Sequence, residues 1–116
     1  MSTADIAKDF TAALKAGKFA EAEDFWADDV ASFEAMDGPM KEIRGRANVH
    51  AKGEWWTANH DVHSVEISGP YVNGDQFAVG FKIDVTPKAT GERTQMEEVG
   101  LYTVRGGKIA EERFFY

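Results

Sequence analysis

The chain has 116 residues, the length of one domain and enough to bury a core without disulfides or metals. Hydrophobic residues are 43% and charged residues 28%, as in a soluble globular protein; having no cysteine excludes disulfides, a thiol nucleophile and Cys-ligated metal sites. Twenty acids against 13 bases give a net charge of −7, without the basic patch of a phosphate-backbone binder, so no nucleic-acid partner is expected. No apolar run approaches the ~20 residues of a membrane span. Met1-Ser2-Thr3-Ala4-Asp5 lacks a basic start and an apolar centre, so a cytoplasmic location without a membrane partner is expected.

Ser2 or Thr3 caps a first helix, in which Ile6, Phe10, Ala13 and Leu14 share one face and Gly17 is the stop. A short second helix follows, with Phe19, Ala22, Phe25 and Trp26 on one side, ended by Asp28-Asp29. Val30 to Met36 reads as a strand, Asp37-Gly38-Pro39 as a turn and Met40 to Arg44 as a short edge strand. Gly45 opens a third helix over Arg46 to Asn59, whose apolar stripe Val49–Trp56 is interrupted by Lys52. The period then becomes two. His63, Val65 and Ile67 alternate with Val62, Ser64 and Glu66, and Asn73-Gly74 is a strong hairpin signal. Phe77 to Val85 alternates strictly, Pro87 to Gly91 is a loop, and strands Arg93 to Val104 and Lys108 to Tyr116 flank a Gly106-Gly107 turn.

Three helices followed by four long hairpin-linked strands give an α+β fold over a single domain, residues 1–116. A curved antiparallel sheet closed by helices makes a cone, and its hollow is the expected seat of a small apolar ligand. Both faces of the strand carrying Met96 to Val104 look apolar, with Val99 and Leu101 on one side and Met96, Tyr102 and Val104 on the other. One face lines the pocket and the other calls for a partner, so a homodimer through the sheet is expected.

Four local features carry a resemblance that spans nearly the whole chain. They are Lys15-Ala16-Gly17 before a short helix, Trp26-Ala27-Asp28-Asp29-Val30 entering a strand, Arg44-Gly45-Arg46-Ala47-Asn48-Val49 opening the third helix, and Gly107-Lys108-Ile109 in the last hairpin. In this order they resemble the nuclear transport factor 2-like superfamily, and within it the SnoaL-like and ketosteroid-isomerase-like proteins with their cone-shaped, cystatin-like roll. The resemblance implies a fold rather than an activity, because this superfold hosts isomerases, cyclases, hydrolases, dehydratases and non-catalytic binders. The isomerase general base falls on Glu34, a carboxylate one methylene longer. The oxyanion-hole tyrosine falls on Phe10 and the second donor, a protonated Asp, on Gly100. Both donors are missing, so steroid isomerisation by that route is not expected.

The candidate catalytic residues are Glu34, Lys52 and His63. Glu34 lies in Ser32-Phe33-Glu34-Ala35-Met36: it is a pocket acid/base if inward, and a surface residue of an edge strand otherwise. Lys52 points where the core belongs, either facing Glu34 or snorkelling to solvent on a packed stem. Within about 4–6 Å of Glu34, each would favour the other's charged form. His63 shares an apolar face with Val65 and Ile67, as a pocket acid/base or a satisfied core histidine. Candidate substrate-binding residues are Phe10, Trp56, Glu98, Gly100 and Tyr102. Gly100 clears the middle of a strand face, which marks close approach of a backbone or ligand. Tyr102 then offers a new hydroxyl donor; the bland alternative makes Glu98 a rim charge and Tyr102 core filler. His50, His60 and His63 invite a metal reading, but His60 and His63 at i, i+3 point to opposite faces of a strand and no carboxylate spacing supplies a third ligand, so no metal site and no cofactor are expected. The roles of Trp55 and His60 stay open.

The function expected is cofactor-independent acid/base chemistry (isomerisation, cyclisation or hydration) on a small apolar carbonyl-type substrate. The rivals are a ligand-binding module without turnover and a bare dimerisation domain.

Overall fold

A computed structural model describes all residues, 1–116. In chain order the elements are α1 (Thr3–Lys15), α2 (Phe19–Glu23), β1 (Trp26–Phe33), β2 (Glu42–Arg44), α3 (Arg46–Ala58), β3 (His60–Asn73), β4 (Gln76–Pro87), β5 (Thr94–Arg105) and β6 (Lys108–Phe115). They form one six-stranded sheet in the order β2-β1-β6-β5-β4-β3, with the helices over its inner face. The hairpins pair antiparallel as expected, but β1 joins β6 in parallel, Ser32 beside Glu112.

Local chemistry explains the boundaries. Ser2 caps α1 through a reciprocal box: the Asp5 amide donates to Ser2 Oγ at 3.1 Å, and the Ser2 amide to Asp5 Oδ2 at 3.2 Å. Gly45, at φ 90°, turns the chain from β2 into α3 while its amide donates to Val30 O at 2.9 Å. The second helix is shorter than its sequence pattern suggests. It stops at Glu23, and Trp26 already lies in β1, where the Ile109 amide donates to Phe25 O at 2.8 Å. Five residues make a marginal helix, and pairing with β6 takes Trp26 into the sheet.

The narrow part of the fold is filled. Ile6 and Phe10 of α1 pack with Val30, Val49, Phe77, Val79, Tyr102, Val104 and Ile109. Phe10 meets Tyr102 edge-on at 4.9 Å and Phe77 at 5.9 Å, and Phe77 stacks on Tyr102 at 4.9 Å. Such pairs each add about 0.5–1.5 kcal/mol beyond burial. Phe10 and Tyr102, 3% and 2% exposed, are therefore core residues rather than free pocket walls. A Cβ on Gly100 would stand 2.8 Å from the Tyr102 hydroxyl oxygen, so the close approach there is made by the chain's own tyrosine.

Two bulges decide which polar side chains face inward. On β3, Val62 pairs with Val85 but Ser64 with Asp84, so one residue is extra at His63. Val65 and Ile67 stay on the inner face opposite Ile83 and Phe81, while exposed His63 turns outward to Thr86 Oγ1 at 2.8 Å. His63 is thus neither a core nor a pocket histidine: the bulge breaks the alternation that would have placed it with Val65. On β6, Val104 pairs with Ile109 but Thr103 with Glu111, which leaves Ala110 extra. Ile109 and Glu112 consequently both face inward, although strict alternation would send Glu112 out.

Candidate functional site

Ser32 and Glu34 leave the end of β1 on the inner side, Lys52 descends from the middle of α3, and Glu112 and Phe114 rise from β6. Lys52 Nζ donates to Glu34 Oε1 at 2.9 Å and to Ser32 Oγ at 2.6 Å. Ser32 Oγ donates to Glu112 Oε2 at 2.7 Å. The second Glu34 oxygen accepts from the Tyr116 hydroxyl at 3.1 Å, and that hydroxyl accepts from the Met36 amide at 3.4 Å. The ammonium also sits 5.4 Å from the centre of the Phe114 ring, within cation–π range.

The Lys52 side chain is 11% exposed and that of Glu34 24%. A lone charge in either place would carry a large desolvation cost, which the pairing offsets. Val49 is buried and Lys52 stands three residues on, so the helical stripe itself aims the lysine inward. The pairing expected of Glu34 and Lys52 is present, and the lysine does not snorkel.

Two further carboxyls surround this pair. Glu112 is 5% exposed; burial pushes its pKa up, while the bond from Ser32 and the charge of Lys52 pull it down. Glu98 lies on the inner face of β5, half-buried and without a hydrogen bond or ion pair. Burial, with the charge of Glu34 behind it, pushes Glu98 up to about 7, and Lys52 offsets part of that rise. Tyr102 is raised well above its ordinary value, by burial first and then by Glu112 and Glu98. Tyr116 is raised as well, chiefly by burial.

An open groove of about 440 Å³ runs between β2 and α3, with Met40, Ile43 and Ala51 as its apolar wall and Arg44, Asn48 and Lys52 among its polar lining. Lys52 belongs to both groove and cluster. Trp56 stacks on His60 at 4.3 Å, where His60 Nδ1 lies 2.7 Å from Trp56 O, so the pair closes the end of α3 and makes no bond to Glu34 or Lys52. Trp55 is half exposed on the flank. The structure brings together Glu34 and Lys52, sets Glu98 close enough to feel both charges, and keeps His63 apart. Ser32, Glu112 and Tyr116 are the members that sequence reasoning missed. For Glu112 no signal was available, because the one extra residue at Ala110 that turns it inward is invisible to strict alternation.

The family model described as a SnoaL-like domain matches residues 1–116. The chain belongs to the SnoaL-like domain family. Among solved structures, this SnoaL-like chain is similar to a Mesorhizobium loti protein provisionally named a SnoaL-like polyketide cyclase, with carbohydrate phosphatase as a bracketed second name. That pair is 60% identical over 100% of both chains, with a TM-score of 0.96. A nuclear transport factor 2-like protein of Burkholderia thailandensis is 18% identical over 99% of this chain and 90% of its own, with a TM-score of 0.85. A Catenulispora acidiphila protein with a ketosteroid isomerase-like fold, solved with trimethylamine, is 20% identical over 83% of this chain and 72% of its own, with a TM-score of 0.69. The last two share the SnoaL-like chain's fold. No curated protein matches the sequence. No helix is long and apolar enough to cross a membrane.

Proposed function

We propose that this SnoaL-like chain is a cofactor-independent acid–base catalyst for a small, largely apolar carbonyl compound, in a reaction of the isomerisation, cyclisation or hydration class. The observation that carries the reading is the Lys52–Glu34 pair, 2.9 Å apart, whose lysine also lines the open groove between β2 and α3. Glu34 removes a proton beside the carbonyl. Lys52, held beside Glu34 and lining the groove, meets the negative charge that develops on oxygen. It supplies from the helix side what Phe10 and Gly100 do not. Glu98, up at about 7, exchanges a proton near neutral pH from the facing strand. The provisional name of the Mesorhizobium loti relative, a polyketide cyclase, agrees with carbonyl chemistry.

A second reading, ligand binding without turnover, is favoured by one observation: both Glu34 oxygens already have donors in Lys52 and Tyr116. A panel of small cyclic and open-chain ketones separates the two. Catalysis requires turnover of at least one ketone that disappears in Glu34→Gln. Binding alone gives NMR shift changes around Lys52 and Phe114 that survive Glu34→Gln, without product.

The same reading includes a homodimer through the outer sheet face, where Val99 is 43% and Phe115 51% exposed. Sedimentation at micromolar concentration tests it; a monomer contradicts it.

A further inference from the structure

Among the three carboxyls grouped around Lys52, Glu112 is the one that the proposed chemistry leaves unused, and it is the most deeply buried acid in the protein. Its surroundings form a single file. Lys52 donates at once to Glu34 Oε1 (2.9 Å) and to Ser32 Oγ (2.6 Å), and Ser32 passes its own hydroxyl hydrogen to Glu112 Oε2 (2.7 Å). Three consecutive hydrogen bonds thus join an accessible carboxylate to a hidden one, and the last two point inward.

We propose that Glu112 is the internal proton store of the site, receiving through Lys52 and Ser32 the proton that Glu34 takes up. The transfer conserves every atom. Lys52 gives an N–H proton to Ser32 Oγ as Ser32 gives its hydroxyl proton to Glu112, and Lys52 takes the proton from Glu34. At the end Glu34 is again a carboxylate, Glu112 is a carboxylic acid, and the ammonium and hydroxyl are restored. No electrons change hands and no further reactant is needed. The driving force is the removal of a negative charge from a site with almost no solvent, where an ionised carboxyl is costly.

Other charges bear on the same store. Lys52 from α3 and the Ser32 hydroxyl from β1 favour ionised Glu112; Glu34 at the end of β1 and Glu23 at the end of α2 favour its protonated form. On β5, Tyr102 stands directly across the ladder from it, and Glu98, further along the strand, feels its charge. The chemical consequence is a base that resets without returning its proton to bulk water. Substrate hydrogen can then be held inside the protein and handed back to the product.

The inference rests on Glu34 acting as the base, so the test is chosen to separate the two. The full chain carrying ¹³C-carboxyl glutamate is titrated by NMR, without substrate. The charge of Glu34 favours protonated Glu112, so the midpoint of the Glu112 carbon should fall in Glu34→Gln. In Ser32→Ala its midpoint should rise, because the bond from Ser32 favours the ionised form, and Ser32→Thr, which keeps the hydroxyl, should restore it. A Glu112 carbon that is protonated throughout, or that titrates identically in Glu34→Gln and Ser32→Ala, overturns the store. Loss of turnover in Glu34→Gln beside such an indifferent Glu112 would overturn the store alone and leave Glu34 as the base.

Discussion

Lys52→Met is the perturbation with the most to lose. Methionine keeps most of the buried stem and its place near Phe114, but it removes the only cation among Glu34, Glu98 and Glu112. Deleting one partner of a fully buried ion pair costs about 3–5 kcal/mol, and an exposed pair is worth only about 0.2–1 kcal/mol. With Lys52 11% and Glu34 24% exposed, this pair lies nearer the buried limit, and solvent at Glu34 brings the expectation down to about 2–3 kcal/mol. For a chain of this size that is a fall in Tm of about 10 °C. Urea denaturation at pH 7 should read the loss directly. In acid, with the carboxyls protonated, the penalty should shrink. The double variant Lys52→Met/Glu34→Gln should recover about 1–2 kcal/mol of the summed single losses, because the two side chains touch. A loss below about 0.5 kcal/mol, or strict additivity, would mean that the lysine is a surface charge and would refute the reasoning.

Glu98 holds its proton to about 7 when folded and releases it near 4.5 when unfolded, so it favours the folded state most below about 4.5 and loses that contribution as pH rises through about 7. Glu98→Gln should flatten stability against pH across that window in chemical denaturation; an unchanged slope would place Glu98 in open water. Gly100→Ala should cost about 1–3 kcal/mol, because the new Cβ lies 2.8 Å from the Tyr102 hydroxyl oxygen, and Tyr102→Leu should relieve much of it. Thermal melts with near-ultraviolet circular dichroism would register both the loss and the moved tyrosine. His50 places Nδ1 2.8 Å from Glu23 and Nε2 against Glu54, and these bonds, Glu23's first, raise its pKa above the ordinary 6.5. Its contribution is therefore complete below about 6.5 and fades as pH rises through the higher folded value. Imidazole NMR should find a raised titration that returns towards normal in Glu23→Gln; an ordinary value in the native protein would contradict the clamp.

The sheet and the helices were legible because their signals are local: the Ser2 cap, the Asn73-Gly74 hairpin, and the alternation from Phe77 to Val85. Lys52 was legible for the opposite reason, since a charge in an apolar stripe breaks a pattern and the break itself points to the site. The errors come from steps that period-two reading cannot see. One extra residue at His63 sent a histidine out, and one at Ala110 brought Glu112 in. Ser32 carried no sequence signal, because a serine in a strand reads the same whether it faces water or two charged partners. Tyr102 and Phe10 were recognised as inward, but whether inward means pocket or packing depends on ring contacts between α1, β4 and β5 that a linear pattern does not contain.

The central claim is that Glu34, poised by Lys52, takes a proton from carbon. Its most direct measurement is exchange of the hydrogens beside the carbonyl of small ketones in D₂O, followed by proton NMR with native protein and Glu34→Gln side by side. Native protein should speed deuterium incorporation into at least one ketone, and Glu34→Gln, nearly isosteric, should leave only the uncatalysed rate. Exchange that persists undiminished in Glu34→Gln would contradict the claim.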